Sequence, residues 1–212
     1  MVYMSRPLDP VHPQISEEVQ KLSDESKKQY PNLNLSDGEY VVAAVKRHPI
    51  GILQIWAALL VASAVIIGLF MVLVGNPDSS PLATLVSNPS DLRTGGSVII
   101  GCVILLLALG GLVATYVYNG NRFYLTNESV IQEVQTSLFS KYEQTVSLFN
   151  VEDASFRQNN PIQMLLNYGS IRLSTEGDET TYRFSYVSNP KNHIAILNNA
   201  VEAFKNGRPI HR

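Results

Sequence analysis

Two uninterrupted apolar runs divide the sequence into three parts. Residues 50–74 and residues 98–118 contain no Asp, Glu, Lys, Arg or His. As helices that rise about 1.5 Å per residue, they would be roughly 38 Å and 32 Å long, enough to cross a hydrocarbon core of about 30 Å. Core helices of soluble proteins seldom run past about 18 residues without a charge. The pattern therefore predicts two transmembrane helices.

The charged flanks of the two runs predict their orientation. Lys46 and Arg47 precede the first run and Arg122 follows the second, whereas the connection, residues 75–97, contains only Arg93. Lys and Arg are enriched on the cytoplasmic side of membrane proteins. We therefore expect a multi-pass protein of the cytoplasmic membrane with both termini in the cytoplasm and an irregular extracytoplasmic connection.

Small residues recur at four-residue spacing in both apolar runs. Ala64 precedes Gly68 in the first, and Gly110 precedes Ala114 in the second. Such pairs let helix backbones approach closely, within the hairpin or between copies of the chain. A channel or transporter usually places polar groups at mid-membrane, which these runs lack. The spacing thus predicts helix packing rather than a conduction path.

The segment before the first run is mostly polar. Residues 1–34 predict a mobile tail with one short helix, which we interpret as solvated and marginal rather than as a membrane-surface or partner-binding helix. Residues 35–49 form a juxtamembrane segment. Its YVVAAV stretch fits either a strand or an extended approach to the bilayer.

The pattern changes to short alternating stretches after the second run. Strand-like segments, separated by turn residues, occupy 122–126, 128–136, 142–151, 154–158, 168–175 and 180–187. Asn189-Pro190 then starts a helix with one apolar stripe, which Asn206-Gly207 ends. The whole predicts an α+β membrane protein, in which a two-helix transmembrane hairpin precedes an antiparallel β-barrel or sandwich. This domain spans residues 121–206 and is capped by its C-terminal helix; residues 207–212 are a tail.

The order of these motifs resembles a known family. The motifs are YLTNESVI, TVSLFNVEDASF, YGSIRLSTEG and the SNP that opens the last helix, with LSDGEYVVAAVKRHP before the first apolar run. They resemble the bacterial pleckstrin-homology (PH) domain of small membrane proteins that carry a pair of transmembrane helices just before it. The resemblance covers most of residues 35–205, and it implies a PH-like fold and a location rather than an activity.

Composition offers little chemistry. With 16 Lys and Arg against 18 Asp and Glu, no bulk charge favours nucleic acid as a partner. The four histidines are scattered and the single cysteine, Cys102, lies in the second apolar run. Phosphate loops and nucleophile elbows are absent from the sequence. We therefore predict no catalytic residues, no metal and no cofactor.

The hairpin at 135–140 is the one candidate interaction site. Eukaryotic PH domains hold phosphoinositides with several basic residues around their first hairpin, whereas here only Lys141 is present. Residues 121–212 contain nine basic and nine acidic side chains, so specific phosphoinositide binding is not expected. Leu138 and Phe139 at the tip fit core residues, interfacial anchors or a protein-contact patch, and we favour the core.

These observations favour a non-enzymatic membrane protein. The expected role is to display the PH-like domain at the cytoplasmic face for protein–protein interaction or scaffolding, with a separate protein or further copies of the chain as partner. The alternative is a membrane-anchored lipid-sensing module, which would bind anionic lipid. An enzyme would require a pocket with convergent polar groups.

Overall fold

The computed structural model describes residues 16–75, 89–175 and 181–210. Its helices are α1 (Glu17–Gln29), α2 (Ile50–Gly75), α3 (Pro89–Gly120), α4 (Pro161–Leu165) and α5 (Pro190–Lys205). Its strands are β1 (Val41–Lys46), β2 (Arg122–Thr126), β3 (Ser129–Gln135), β4 (Lys141–Ser147), β5 (Val151–Arg157), β6 (Tyr168–Thr175) and β7 (Thr181–Ser188).

The strands form two antiparallel sheets. One has the order β1-β2-β3-β4 and the other the order β5-β6-β7, and an isolated bridge between Arg47 and Val187 connects them. β4 and β5 are outer strands joined by a short 3-10 helix, so the strands that the structure describes do not close into a continuous barrel. α5 packs its apolar stripe against the core between the sheets, with Leu197 only 1% exposed. The α+β architecture is confirmed.

The β structure begins before the first apolar helix. β1 pairs with β2 in antiparallel register, from Val41 opposite Thr126 to Lys46 opposite Arg122. Val41 and Val45 are buried, which explains why this stretch is a strand and not an extended approach to the bilayer. The sheet therefore includes residues outside the predicted range 121–206, and α2 and α3 are inserted between two neighbouring strands.

α1 is packed, which contradicts the prediction of a solvated helix. Ser23 and Ser26 are fully buried, and the Ser26 hydroxyl accepts a hydrogen bond from the Val41 backbone N–H at 3.0 Å. Tyr30 then packs edge-on against Tyr124 of β2, with ring centroids 5.3 Å apart. The small serine side chains on this face let α1 approach the sheet closely, and a count of apolar residues does not reveal such a contact. Residues 1–15 of the predicted tail lie outside the described residues.

The two apolar helices are long and little buried. α2 has 26 residues and α3 has 32, and only 6% of the most apolar window of each is buried. Both are long and apolar enough to cross a membrane. α3 starts at Pro89, earlier than the predicted Val98, because Thr94 and Ser97 bond their hydroxyls to helix carbonyls instead of competing with the helix. Residues 76–88 of the predicted connection lie outside the described residues.

Candidate functional site

The helix-proximal end of the β domain is where the chain passes into α2 and returns from α3. Three hydrogen bonds tie this junction together. The Tyr118 hydroxyl donates to the His48 carbonyl at 2.6 Å, the His48 N–H donates to the Tyr186 carbonyl at 2.5 Å, and the Tyr186 hydroxyl donates to Gln54 Oε1 at 3.0 Å. The bonds link α3, α2 and β7, so the domain is held at a defined orientation on the helices.

An aromatic cluster encloses one cation at this junction. The Arg47 guanidinium lies 5.2 Å from the ring centroid of Tyr118 and 5.5 Å from that of Phe184. Burial lowers the pKa of Arg47 below its ordinary value, although the neighbouring tyrosines oppose the shift. His48 stacks on Tyr168 at 5.2 Å. These contacts use Arg47 to support the junction rather than to bind a ligand.

The helix contact does not use the predicted glycines. A Cβ atom on Gly68 or Gly110 would meet nothing within 4 Å, and Ala64 is exposed. Among the four predicted packing residues, Ala114 alone is partly buried. Gly68 and Gly110 therefore take no part in the contact between α2 and α3, and packing of these faces between copies of the chain stays a prediction.

The observed contact lies one residue further along α3. A Cβ atom on Gly111 would lie 2.5 Å from Leu59 Cδ1 and 3.4 Å from Trp56 Cη2. The Trp56 indole N–H also donates to the Thr115 hydroxyl at 3.2 Å. Each residue along an α-helix is rotated by about 100° from the one before it, so the adjacent Gly110 and Gly111 face different surroundings.

The predicted hairpin site is exposed. Phe139 is 97% exposed and Leu138 is 42% exposed, so the core interpretation is wrong. β3 runs antiparallel to β2 and ends beside α3, where the Asn121 side-chain amide donates to the Gln135 carbonyl at 3.2 Å. The hairpin that follows therefore projects beyond the start of β2, at the helix-proximal end. Lys141 is ion-paired with the buried carboxylate of Glu133 and is not a free cation.

A second apolar projection was not predicted. Ile162, Met164 and Leu165 of α4 are 59%, 68% and 84% exposed. α4 leads into β6, whose first residue, Tyr168, stacks on His48 immediately before α2. α4 therefore belongs to the same end as the hairpin. The signal in the sequence is the apolar run that follows Asn159-Asn160-Pro161, between the strands predicted at 154–158 and 168–175.

A polar cavity of about 240 Å³ lies beside α4. Arg157 at the end of β5 and Arg183 in β7 line it, together with Tyr168 and Tyr186. Sequence reasoning missed this pair, because the two arginines are distant along the chain and come together through sheet pairing. The signal was their alternation with apolar residues, which indicates outward-facing side chains.

The buried acid Glu39 has a structural role. Its carboxylate accepts hydrogen bonds from the hydroxyls of Thr126 and Ser129 at 2.6 Å each, and from the Ser36 N–H at 2.9 Å. This joins the chain before β1 to the turn between β2 and β3. Glu128 and Glu143 are neighbours of Glu39. Burial, with a smaller contribution from neighbouring carboxylates that include Glu39, raises the pKa of both. Among the described residues, no three His, Cys, Asp or Glu side chains are placed to hold a metal ion.

Comparison with protein families agrees with the fold. The family model for the bacterial PH domain matches residues 41–201, more than half of the chain. The match starts at β1 and ends within α5, so it includes the strand before the apolar helices. No curated protein matches the chain. The resemblance noted from the motifs is thus confirmed, and the chain belongs to the bacterial PH domain family.

Proposed function

We propose that this chain is a non-enzymatic integral membrane protein that displays its PH-like domain at the cytoplasmic face and docks protein partners there. A PH-like domain supports a protein-interaction or lipid-binding module. The membrane location and the scaffolding role go beyond that family assignment. The insertion of the helices, their exposure and the exposed surfaces of the domain support both.

The insertion of the helical hairpin between β1 and β2 carries the proposal. Since only 6% of the most apolar window of each helix is buried, these helices differ from core helices of a soluble protein. Each Leu, Ile, Val or Phe near a helix centre favours insertion into the bilayer by roughly 0.3 to 0.6 kcal/mol. Both ends of the hairpin join paired strands, so a spanning hairpin would hold the domain directly against the bilayer.

The ends of the hairpin support a cytoplasmic domain. Lys46, Arg47 and Arg122 flank it on the domain side. The exposed Phe139 and Leu165 lie at this same end, where apolar side chains would meet the bilayer interface. Continuity of this end with both helices therefore favours a domain seated on the membrane surface.

The outer strand β4 is the surface that we propose for a protein partner. β4 is an edge of its sheet, and its residues 141–145 are all exposed. An exposed edge presents backbone N–H and C=O groups to which an extended segment of another protein can pair. The expected partner contributes a strand to β4.

A lipid-binding module is the second candidate function. The specific observation in its favour is the cavity lined by Arg157 and Arg183 beside α4. This cavity does not include residues of the hairpin at 135–140.

Carbonate extraction and cysteine labelling test the membrane topology. In a Cys102→Ala background, we introduce Ser80→Cys in the connection or Lys191→Cys in α5. A membrane-impermeant maleimide should label Ser80→Cys in intact cells and Lys191→Cys only after permeabilisation. The reverse pattern would contradict the orientation. Extraction of the wild-type chain by carbonate would contradict the membrane anchor.

Photo-crosslinking in cells tests the docking strand. A photoreactive amino acid at Thr145 of β4 is compared with one at Asn198, an exposed position on α5. The proposal predicts a discrete protein adduct from position 145 and none from position 198. If position 145 gives no adduct, or if both positions give adducts equally, β4 is not the docking surface.

A further inference from the structure

The cavity beside α4 is built by three neighbouring strands. Arg157 ends β5 opposite Ser170 of β6, and Arg183 lies on β7, on the other side of β6. Arg183 alternates with the fully buried Phe184, so its side chain lies on the outer face of the sheet. Ser170 on the central strand is small and also lines the cavity, which leaves room between the two arginines.

Among the residues that the structure describes, the cavity is lined by basic and not by acidic side chains. Among the described residues, neither Arg157 nor Arg183 forms a salt bridge, and no Asp or Glu lines the cavity. A guanidinium group presents paired N–H donors that match phosphate oxygens in a bidentate arrangement. Two such groups around one cavity favour a phosphate ligand over a carboxylate, because phosphate offers more acceptor oxygens.

Neutral donors complete the lining. Asn159, Gln163 and Ser185 also line the cavity. The Gln163 Oε1 atom accepts from the Asn159 backbone N–H at 2.6 Å, so its amide nitrogen remains a donor. The volume of about 240 Å³ is smaller than the range of about 300–1,000 Å³ usual for drug-sized ligands, and it suits a phosphate with a few attached atoms.

The cavity is close to the start of α2. Tyr186 lines it and donates a hydrogen bond to Gln54, the fifth residue of α2, at 3.0 Å. On the other side, Gln163 lies within α4 between the exposed Ile162 and Met164. Polar donors flanked by a helix end and by exposed apolar side chains match the boundary between lipid headgroups and acyl chains.

We propose that this cavity binds the phosphate of an anionic phospholipid headgroup, held by Arg157 and Arg183. The inference rests on the proposed membrane anchoring, which brings the cavity to headgroup level. A free phosphate ion or phosphate ester shares the same chemistry and is the other source of the ligand. The location beside α2 and α4 selects the lipid.

Native mass spectrometry of the full chain in mild detergent tests the site. The wild type, offered phosphatidylglycerol or phosphatidylcholine, should retain phosphatidylglycerol at least tenfold more tightly. The double variant Arg157→Ala/Arg183→Ala should lose that preference. A tenfold change in affinity corresponds to about 1.4 kcal/mol, which the loss of one hydrogen bond to a charged group can account for.

A control variant removes the same charge elsewhere. Lys28→Ala/Arg208→Ala changes two basic residues, on α1 and after α5, outside the cavity. α5 starts at the helix-proximal end, where the Asn189 N–H bonds the Asn167 carbonyl, and extends about 24 Å away from it. The control should keep the wild-type lipid preference. Equal loss in both double variants would overturn the site in favour of general charge attraction.

Three further measurements separate the alternatives. If inorganic phosphate displaces phosphatidylglycerol at equal concentration, the site is one for free phosphate and the lipid assignment is wrong. The fluorescence of Trp56, the single tryptophan, reports whether the variants keep the wild-type helix packing. Carbonate extraction reports anchoring independently: a variant that stays in the membrane but loses lipid preference supports the site. A wild type with no preference in detergent refutes the site even if the chain resists extraction.

Discussion

The contact between α2 and α3 allows a test with two adjacent glycines. Substitution of Gly111 by Ile places a side chain where its first carbon would lie 2.5 Å from Leu59 and 3.4 Å from Trp56. The same substitution at Gly110 meets nothing within 4 Å. We expect Gly111→Ile to weaken the helix contact and Gly110→Ile to leave it intact.

The expected difference follows from packing. The Leu59 side chain can rotate away from a single added carbon, but the remaining atoms of Ile would meet the indole ring behind it. Overpacking of this kind costs about 1 to 3 kcal/mol. Replacing Gly in a helix interior also gains roughly 0.5 kcal/mol of helix propensity, which is nearly equal at both positions and cancels. We therefore expect Gly111→Ile to be less stable than Gly110→Ile by about 1 to 3 kcal/mol.

Trp56 makes this difference measurable. It is the only tryptophan of the chain, and its indole N–H donates to Thr115 across the contact. Titration of the full chain in mild detergent with a denaturing detergent, followed by tryptophan emission, should give a lower midpoint for Gly111→Ile and an altered starting spectrum. Equal midpoints, or a larger loss for Gly110→Ile, would refute the observed contact and restore the face predicted from the small-residue spacing.

Three further predictions concern the β domain and use thermal unfolding of the full chain in detergent. Glu39→Gln should lower the free energy of unfolding by about 1 to 3 kcal/mol, because the amide replaces a carboxylate that accepts three hydrogen bonds. The same substitution at the exposed Glu152 should change it little, and equal effects would contradict the anchoring role of Glu39. Phe139→Ser should change stability by no more than about 0.5 kcal/mol, since the side chain is 97% exposed, and a larger loss would reinstate a core role. Burial lowers the pKa of His193 in the folded chain, so the unfolded chain takes up the proton first as the pH falls below 6.5, and stability is lost from there down to the folded pKa. A His193→Gln variant should lose less stability over that interval, and an unchanged slope of stability against pH would contradict this contribution.

Much of the fold was predictable because it depends on local pattern. Alternation located β2 and β6 at their observed bounds, and Asn189-Pro190 marked the start of α5. The prediction for 142–151 as one strand was wrong, because Leu148 is fully buried in a 3-10 turn where the chain passes between sheets. α4 was missed because a single helical turn is too short for its period to be recognised.

The candidate site was less predictable than the fold. The hairpin tip was identified, but its exposure was not, because a short apolar pair fits a core and a projecting loop equally well. Arg157 and Arg183 become neighbours only through the pairing of β5, β6 and β7. Similarly, the buried acid Glu39 acquires its role from hydroxyls that lie almost ninety residues later in the chain.

The sequence by itself determined where the two apolar helices lie and which segments form most strands, since charge exclusion, alternation and capping act between near neighbours. Only the tertiary structure decided that β1 belongs to the sheet across the hairpin, that Gly111 rather than Gly110 meets the facing helix, and that two distant arginines share a cavity. The physical reason is that pairing register and helix rotation are set by contacts between distant segments. A shift of one residue there turns a side chain toward different surroundings while the local pattern stays the same.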